Sequence, residues 1–328
     1  MRVLSLFDGM SCGRLALDRV GIPVTEYHAC EIDKYAIQVS KANHPDIIHH
    51  GSVVDYSPDY EVDLLMGGSP CQGFSFAGKQ LNFDDPRSKL FFEFVRILKE
   101  CKPKYFLLEN VKMKKEYEDV ISAALGVHPI KINSSLVSAQ NRQRLYWTNI
   151  PVTQPDDKGI MLKDIVLDYS DEVAEYIVPF DKTLQILNKE VERGKVGYFR
   201  QDSQANLVYY IHDKAVTLCG DAGGGAAKMG QYLFGCITPD RVEKRQNGQR
   251  FSEGQKFYTL TAQDKHGILI AGYIRKLTPV ECERLQTVPD NYTNHVSNSQ
   301  RYKMLGNGWT VDVIAHILGG IHEARKPD

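Results

Sequence analysis

The sequence has no apolar run that approaches the ~18 residues needed for a membrane-spanning helix. Its apolar N-terminal stretch is too short for a secretory signal, so we expect a cytoplasmic protein with no membrane partner. The seven cysteines form no Cys-x-x-Cys pair, which argues against a disulfide framework or a thiolate zinc site, and no metal is predicted. The formal net charge of −1 excludes a uniformly basic nucleic-acid binder but not a local basic face.

The 328 residues suffice for two structural units, or for one large unit with an insertion, at about 150 residues per domain. Hydrophobic residues make up 42% and charged residues 25%, which is typical of a globular protein and argues against long disorder. Over residues 1–150, short apolar runs alternate with stretches of helical spacing. This alternation predicts an α/β fold whose mainly parallel sheet is covered by helices on both faces.

Composition changes after about residue 150, where glycine becomes frequent and helical periodicity weakens. We interpret residues 152–271 as a smaller unit rich in strands and loops. Order returns with Thr278-Pro279-Val280-Glu281, which has the pattern of a helix start: an N-cap, a proline in the first turn and a glutamate that reaches back. The simplest arrangement is an α/β domain, residues 1–151 and 272–328, interrupted by the inserted unit.

Four polar groups follow predicted strands of the α/β domain, namely Asp8, Glu31, Cys71 and Glu109. Ligands of such sheets bind outside the carboxyl ends of the strands. The sequence therefore predicts a ligand site at this rim.

The turn after the first strand contains Gly9 and Gly13, which would let the backbone approach a ligand closely. Glu31 lies 23 residues after Asp8, at the end of the second predicted strand, where a carboxylate can accept both hydroxyls of a ribose. An ordinary strand-to-helix turn is the alternative, because the G-x-G-x-x-G spacing is absent. The offset of Glu31 favours a nucleoside-containing cofactor, and the lack of a P-loop argues against a triphosphate.

Three further elements have the residue types of a reactive centre. Cys71 follows a buried strand and Pro70, and glycines after it would suit a thiol that meets a substrate and is then covered. Glu109 ends an apolar strand, where a carboxyl suits proton sharing. Arg142 and Arg144 alternate in a predicted strand, so both guanidiniums would reach one face and suit a phosphate or a polarised carbonyl. A structural cysteine, a helix cap and a solvated edge strand are the respective alternatives.

In their order along the chain, these motifs resemble the C5-cytosine-specific DNA methyltransferase family. The matching residues are Phe7-Asp8-Gly9, Glu31, Gly68-Ser69-Pro70-Cys71-Gln72, Glu109-Asn110-Val111, Gln140-x-Arg142-x-Arg144, Arg275-Lys276-Leu277-Thr278-Pro279 with Glu281, Arg284-Leu285-Gln286, Pro289-Asp290-x-Tyr292 and Leu305-Gly306-Asn307. The short variable region resembles bacterial and phage enzymes, whereas Phe7-Asp8-Gly9 also resembles the animal de novo branch.

The resemblance implies a Rossmann-like S-adenosylmethionine-dependent methyltransferase sheet with an inserted target-recognition domain. It implies transfer of a methyl group from S-adenosylmethionine to C5 of a cytosine flipped out of a specific sequence in double-stranded DNA. Cys71 would form a transient adduct at C6 and Glu109 would hold or protonate N3. Arg142 and Arg144 would act on the base carbonyl, the thiolate or a flanking phosphate.

The cofactor residues that the resemblance implies are Phe7, Asp8, Gly9, Gly13, Glu31, Ile32, Ser52, Val53, Pro70, Leu90 and Asn307. Two positions depart from the family pattern. The glycine-rich turn has Ser11 and Cys12 where the family usually has glycines. The usual Gly-Asp step is Gly51-Ser52, so Ser52 or Asp55 would replace the adenine contact.

The DNA-contact residues that we expect on the same basis are Gln72, Ser75, Arg193, Arg200, Arg241, Arg245 and Arg250. The loop from residue 73 to about residue 89 would close over the flipped base. We expect a monomer, with a cognate restriction endonuclease as a candidate partner. A cytosine-5 methyltransferase of tRNA and a non-catalytic DNA-binding regulator on the same fold are the competing hypotheses.

Overall fold

The computed structural model describes residues 1–69, 86–168, 170–177, 184–186, 195–199, 207–210, 214–215, 217–218, 231–234, 252–253, 255–256 and 273–323. Within these ranges, no helix is both long and apolar enough to cross a membrane.

Seven strands form the main sheet. They are β1 (Arg2–Leu6), β2 (Glu26–Cys30), β3 (Ile48–Gly51), β4 (Leu64–Gly67), β5 (Tyr105–Val111), β6 (Ile130–Asn133) and β7 (Gln143–Thr148). Their order across the sheet is β3-β2-β1-β4-β5-β7-β6, and β7 is antiparallel to both of its neighbours while the other pairs are parallel. The mainly parallel sheet predicted from the sequence is confirmed. The strand order reverses direction between β1 and β4, which opens a crevice at their carboxyl ends.

Eight helices accompany the sheets among the described residues. They are α1 (Cys12–Arg19), α2 (Lys34–Asn43), α3 (Pro86–Cys101), α4 (Lys115–Leu125), α5 (Asp171–Ala174), α6 (Pro279–Leu285), α7 (Asn298–Asn307) and α8 (Val311–Glu323).

Buried strands divide the apolar core of the main sheet into two clusters. In β4, Leu64 and Met66 belong to one cluster and Leu65 to the other, because successive strand side chains face opposite sides. The first cluster packs against α1 and α8, for example through Leu17 and Ile314, whereas the second packs against α3 and α4. Both faces of the sheet are therefore covered, as predicted.

Helix α6 begins as the sequence predicts. The Thr278 hydroxyl accepts from the Glu281 amide at 3.2 Å, and the Glu281 carboxylate accepts from the Thr278 amide at 2.7 Å. Glu281 also pairs with Arg275 at 2.6 Å, and both side chains are completely buried. This charged pair ties the segment before the helix to the first turn of α6.

The middle of the chain contributes short strands, which are β8 (Leu184–Ile186), β9 (Lys195–Phe199), β10 (Leu207–Tyr210), β11 (Gln231–Phe234), β12 (Ser252–Glu253), β13 (Gln255–Lys256) and β14 (Tyr273–Arg275). Five of them form a second sheet in the order β14-β11-β10-β9-β8. The segment after β10 contacts the main domain, because the Ala215 amide donates to the Ala139 carbonyl at 2.8 Å and the Lys214 ammonium donates to the Ser135 carbonyl at 2.8 Å.

Candidate functional site

A cavity of about 410 Å³ opens at the carboxyl ends of β1, β2, β4 and β5. Its volume lies in the range of small-molecule sites, about 300–1,000 Å³. The predicted cofactor and catalytic residues in its wall are Phe7, Asp8, Gly9, Glu31, Ile32, Ser52, Val53, Leu90, Glu109, Arg142, Arg144 and Asn307. The expectation that strand-end groups lie around one site is thus met by Asp8, Glu31 and Glu109.

The turn between β1 and α1 forms one wall and has an unusual backbone. Phe7, Gly9 and Ser11 have φ values of 58°, 61° and 65°. Only Gly9 adopts this left-handed region without steric cost, so the other two positions must be held by their surroundings. The Gly9 amide is fixed by a 2.8 Å hydrogen bond to Glu31 Oε2.

Glu31 presents a carboxylate with remaining acceptor capacity. Its Oε1 atom accepts from the amides of Ile32 and Asp33, each at 2.8 Å, whereas Oε2 accepts only from Gly9 among the described residues. Because a carboxylate accepts about four hydrogen bonds, Oε2 can receive a ribose hydroxyl. Ile32 is 77% exposed beside it and offers an apolar surface for a base. The carboxylate and the apolar surface fit an adenosyl group.

Of two further predicted cofactor residues, Gly13 and Ser52, only Ser52 lies in the cavity wall. Gly13 is absent from the cavity wall, and a Cβ atom there would lie 2.7 Å from Met66 Cε and 3.0 Å from the Tyr27 hydroxyl. Gly13 therefore allows α1 to pack closely on the sheet. Ser52 does line the cavity, with its hydroxyl accepting from the Val54 amide at 3.1 Å, whereas Asp55 does not line it.

Glu109 lies in the opposite wall, within β5, and is 8% exposed. Its Oε1 atom forms an ion pair with Arg144 Nε at 3.0 Å, and its Oε2 atom accepts from Trp309 Nε1 at 3.2 Å. Gly68 makes this approach possible, because a Cβ there would lie 2.9 Å from Trp309 and 3.2 Å from Glu109. A partly desolvated carboxylate held from two sides is suited to share a proton with a bound base.

Sequence reasoning did not identify Trp309. It follows the Gly306-Asn307-Gly308 motif, and only two tryptophans occur in the chain. A rare aromatic residue directly after a family motif was the available signal. Its distance of 200 residues from Glu109 concealed the contact.

Arg142 lines the cavity but its guanidinium is engaged with backbone. It is 3% exposed, and it donates to the Leu218 carbonyl at 3.0 Å and to the Gly306 and Gly308 carbonyls at 3.1 Å each. Arg142 therefore joins the 217–218 segment to the C-terminal end of α7, where Asn307 lines the cavity. Arg144, by contrast, acts on a carboxylate.

Pro70, Cys71, Gln72 and Ser75 lie outside the described residues. Arg193, Arg200, Arg241, Arg245 and Arg250, which we predicted to contact DNA, lie outside them as well. The described chain before Pro70 ends at Ser69, which lines the cavity and receives a hydrogen bond from Asn110 Nδ2 at 3.2 Å. Across the part of the chain that the structure describes, there is no group of three or more residues able to hold a metal ion.

The sequence profile described as C-5 cytosine-specific DNA methylase matches residues 1–323. The chain belongs to this family. Family membership confirms the resemblance and indicates methylation of cytosine in DNA.

Two relatives are similar to this C-5 cytosine-specific DNA methylase over nearly the whole length of both chains. The orphan methyltransferase M.SPRI of Bacillus phage SPR is 29% identical over 97% of this chain and 96% of its own length. The type II methyltransferase M.HhaI of Haemophilus parahaemolyticus is 29% identical over 98% of this chain and 94% of its own.

The solved structure of the Entamoeba histolytica methyltransferase EhMeth has the same fold. It superposes with a TM-score of 0.70 at 17% identity, covering 100% of this chain and 99% of that one. This similarity confirms the predicted Rossmann-like methyltransferase sheet.

The contacts of Arg142 predict a specific kinetic effect in the methylase. An Arg142→Lys variant cannot reach three separate carbonyls with one ammonium, so the backbone around Asn307 should loosen. We expect KM for the methyl donor to rise about tenfold, because hydrogen bonds from a charged group are lost. The change in kcat should be smaller. Steady-state methyl transfer at varied cofactor concentration measures both constants.

Arg19→Lys is the matched control, since Arg19 also donates to a carbonyl, that of Thr287 at 2.8 Å, but does not line the cavity. It should change neither constant. A fall in kcat of Arg142→Lys with KM unchanged would instead assign Arg142 a direct role at the reacting atoms.

Proposed function

We propose that this methylase transfers a methyl group from S-adenosylmethionine to C5 of a cytosine flipped out of a specific sequence in double-stranded DNA. One observation carries the proposal. A single cavity has the Glu31 carboxylate and exposed Ile32 in one wall and the Glu109–Arg144 pair in the other. A nucleoside cofactor and a target base can therefore meet in it.

The cofactor end of the cavity has residues for each part of S-adenosylmethionine. Phe7 and Ile32 would pack on the adenine, Glu31 Oε2 would accept from the ribose, and Leu90 and Asn307 would close the methionine side. When bound, the cofactor supplies an electrophilic methyl group on a sulfonium. The other residues of the set that we propose are Asp8, Gly9, Gly13, Ser52, Val53 and Pro70.

Cytosine C5 is a poor nucleophile, and Cys71 would activate it by donating an electron pair to C6. Its thiolate would add to C6, forming a carbon–sulfur bond and turning C5 into an enamine carbon that attacks the methyl group. Glu109 would share a proton with N3 and withdraw charge as the thiolate adds, and Arg144 would orient Glu109. Loss of the C5 proton and expulsion of the Cys71 thiolate then restore the aromatic ring.

The target base must leave the duplex before Cys71 can reach C6, at a cost of a few kcal/mol. We propose that residues 73–89 close over it, with Gln72 and Ser75 near the base. Residues 152–271 would form the target-recognition domain, whose arginines contact phosphates or bases, and residues 1–151 and 272–328 the catalytic domain. A monomeric state, a cytoplasmic location and a cognate restriction endonuclease stay predictions.

The deciding experiment offers purified protein, with methyl-tritiated S-adenosylmethionine, unmethylated genomic DNA and unmodified tRNA in parallel. We expect label in DNA, with bisulfite sequencing placing it at C5 of cytosines within one short sequence. Label in tRNA alone would favour the RNA methyltransferase. Binding to DNA with no transfer to either substrate would favour a regulator on the same fold.

A further inference from the structure

Asp8 lines the cavity, and its carboxyl group is held by hydroxyl donors on two buried side chains. The Tyr27 hydroxyl donates to Oδ1 at 2.7 Å and the Ser11 hydroxyl donates to Oδ2 at 2.6 Å. Asp8 is only 9% exposed, so its carboxyl group is largely shielded from water. The function proposed above gives this carboxyl no part in the chemistry.

A chain of hydrogen bonds continues from Asp8 to a histidine on β3. The Ser11 and Ser40 hydroxyl oxygens lie 2.6 Å apart, and Ser40 Oγ lies 3.2 Å from His49 Nε2. Each serine hydroxyl has one proton. If Ser11 donates to Asp8, it must accept from Ser40, which in turn must accept from an N–H of His49. Every donor in the chain therefore points toward the carboxyl.

This polarity stabilises the ionised form of Asp8. Burial lowers the pKa of His49, which favours the neutral imidazole, and the chain then assigns the Nε2–H tautomer. The hydrogen-bond network therefore stabilises a negative charge on Asp8.

The other charged groups of the cavity wall have partners of their own. Asp33 pairs with Lys303 at 2.7 Å, Glu109 pairs with Arg144, and Glu31 accepts three amides. Asp8, like Glu31, is held by neutral donors, but among the described residues its carboxyl accepts two hydrogen bonds where that of Glu31 accepts three. Its charge is therefore less compensated than theirs and is available to an occupant of the cavity.

The charge of Asp8 changes in an accessible pH range. Burial raises the pKa of Asp8 to about 6, against the opposing hydrogen bonds from Ser11 and Tyr27, and the charge of Glu31 adds to the rise. The other titratable groups facing it are Cys12 on α1, Cys30 and Tyr27 on β2, and Tyr292. Burial raises the pKa of both thiols to about 12 and raises that of both phenols, so all four stay neutral below pH ~8.

We propose that ionised Asp8 makes the cavity select a cationic occupant, so that the sulfonium cofactor binds in preference to the neutral thioether left after methyl transfer. The inference rests on the proposed use of S-adenosylmethionine. S-adenosylmethionine and S-adenosylhomocysteine share adenine, ribose and amino acid, and they differ in the methyl group and the charge at sulfur. A carboxylate in the wall is a means of telling them apart that needs no steric contact.

The test is isothermal titration calorimetry of the whole protein with each compound between about pH 5 and pH 7.5. Taking the ratio of the two dissociation constants cancels the effects of pH that are common to both compounds. In the wild type we expect the preference for S-adenosylmethionine to fall about tenfold as the pH is lowered, since an opposite charge nearby shifts a carboxyl by one unit or more.

Three variants isolate the carboxyl. Asp8→Asn should show the low-pH ratio at every pH. Ser40→Ala keeps Asp8 but interrupts the donor chain, and should move the transition to higher pH. Asp55→Asn is the matched control, because Asp55 is exposed, lies outside the cavity wall and has a φ of 61° that asparagine tolerates. It should behave as the wild type.

A second measurement needs no ligand. Because the folded protein holds the Asp8 proton to higher pH than the unfolded chain, this group lowers stability as the pH rises from about 4 to about 6. Asp8→Asn removes that dependence, so its melting temperature should rise relative to the wild type over the same interval.

The binding results distinguish a wrong cofactor assignment from a wrong role for Asp8. Binding of neither compound would overturn the cofactor assignment and this inference together. Binding of both with a ratio that is independent of pH, or that is the same in Asp8→Asn and the wild type, would overturn the inference and leave the proposed function standing.

Discussion

Replacing Cys71 with alanine is expected to lower methyl transfer to DNA by about 10⁴-fold or more while leaving S-adenosylmethionine binding intact. Cytosine C5 is a poor nucleophile until C6 has received an electron pair, and an alanine methyl has none to give. The Glu31 carboxylate is held by the backbone amides of Gly9, Ile32 and Asp33, which the substitution does not alter. Single-turnover tritium transfer and cofactor calorimetry on the same preparation measure the two properties.

Cys71→Ser is the matched variant, since it replaces the thiol with a hydroxyl of similar size that does not ionise at neutral pH. It should fail nearly as completely. DNA with 5-fluorocytosine at the methylated position adds a direct readout, because fluorine cannot leave as a cation and the Cys71–C6 bond should persist. Methylation by Cys71→Ala at the wild-type rate would refute covalent catalysis while leaving the family assignment untouched.

The sequence alone could predict that polar residues at the ends of strands lie around one site. Asp8, Glu31 and Glu109 each follow or end an apolar run, and parallel strands bring their carboxyl ends to one edge. Strand ends can be located without knowledge of long-range contacts. The three residues lie around one cavity because β1, β2, β4 and β5 are adjacent and parallel in the sheet.

Contacts between distant segments could not be predicted in this way. The sequence pattern ends the apolar strand at residue 108, yet β5 continues to Val111, because β7 pairs antiparallel with residues 107–111. Glu109 is therefore a strand residue facing Arg144 rather than the start of a loop. The register of a pair separated by some 35 residues depends on tertiary packing, which local propensity does not reveal.

The arginines and the glycines show the same limit. Arg142 and Arg144 alternate in sequence and both line the cavity, but only their partners distinguish a residue that holds carbonyls from one that holds a carboxylate. Gly13 has the composition of a ligand turn, yet its constraint comes from Met66 on the neighbouring strand. Residue type indicates that a backbone approaches something closely, and the fold decides whether this is a ligand or a side chain.

Glu109→Gln should reduce kcat for methyl transfer by about 10²–10⁴-fold, the range of a lost general acid–base group. Glutamine is nearly isosteric and its amide oxygen can still accept from Trp309 Nε1, so the wall should keep its shape. It cannot share a proton with N3, and it leaves the Arg144 guanidinium facing a neutral amide. Because the loss concerns charge development during the reaction, KM for S-adenosylmethionine should change little.

Glu93→Gln provides the matched control, since Glu93 also pairs with an arginine, Arg96 at 2.7 Å, on α3 outside the cavity wall. It should retain wild-type kcat. Arg144→Lys separates orientation from charge: a lysine preserves the positive charge near Glu109 but not the guanidinium geometry, so its kcat should fall less than that of Glu109→Gln. Equal kcat for Glu109→Gln and the wild type would show that the ring is activated without this carboxyl, and proton delivery to N3 would then have to come from water or from another side chain in the cavity.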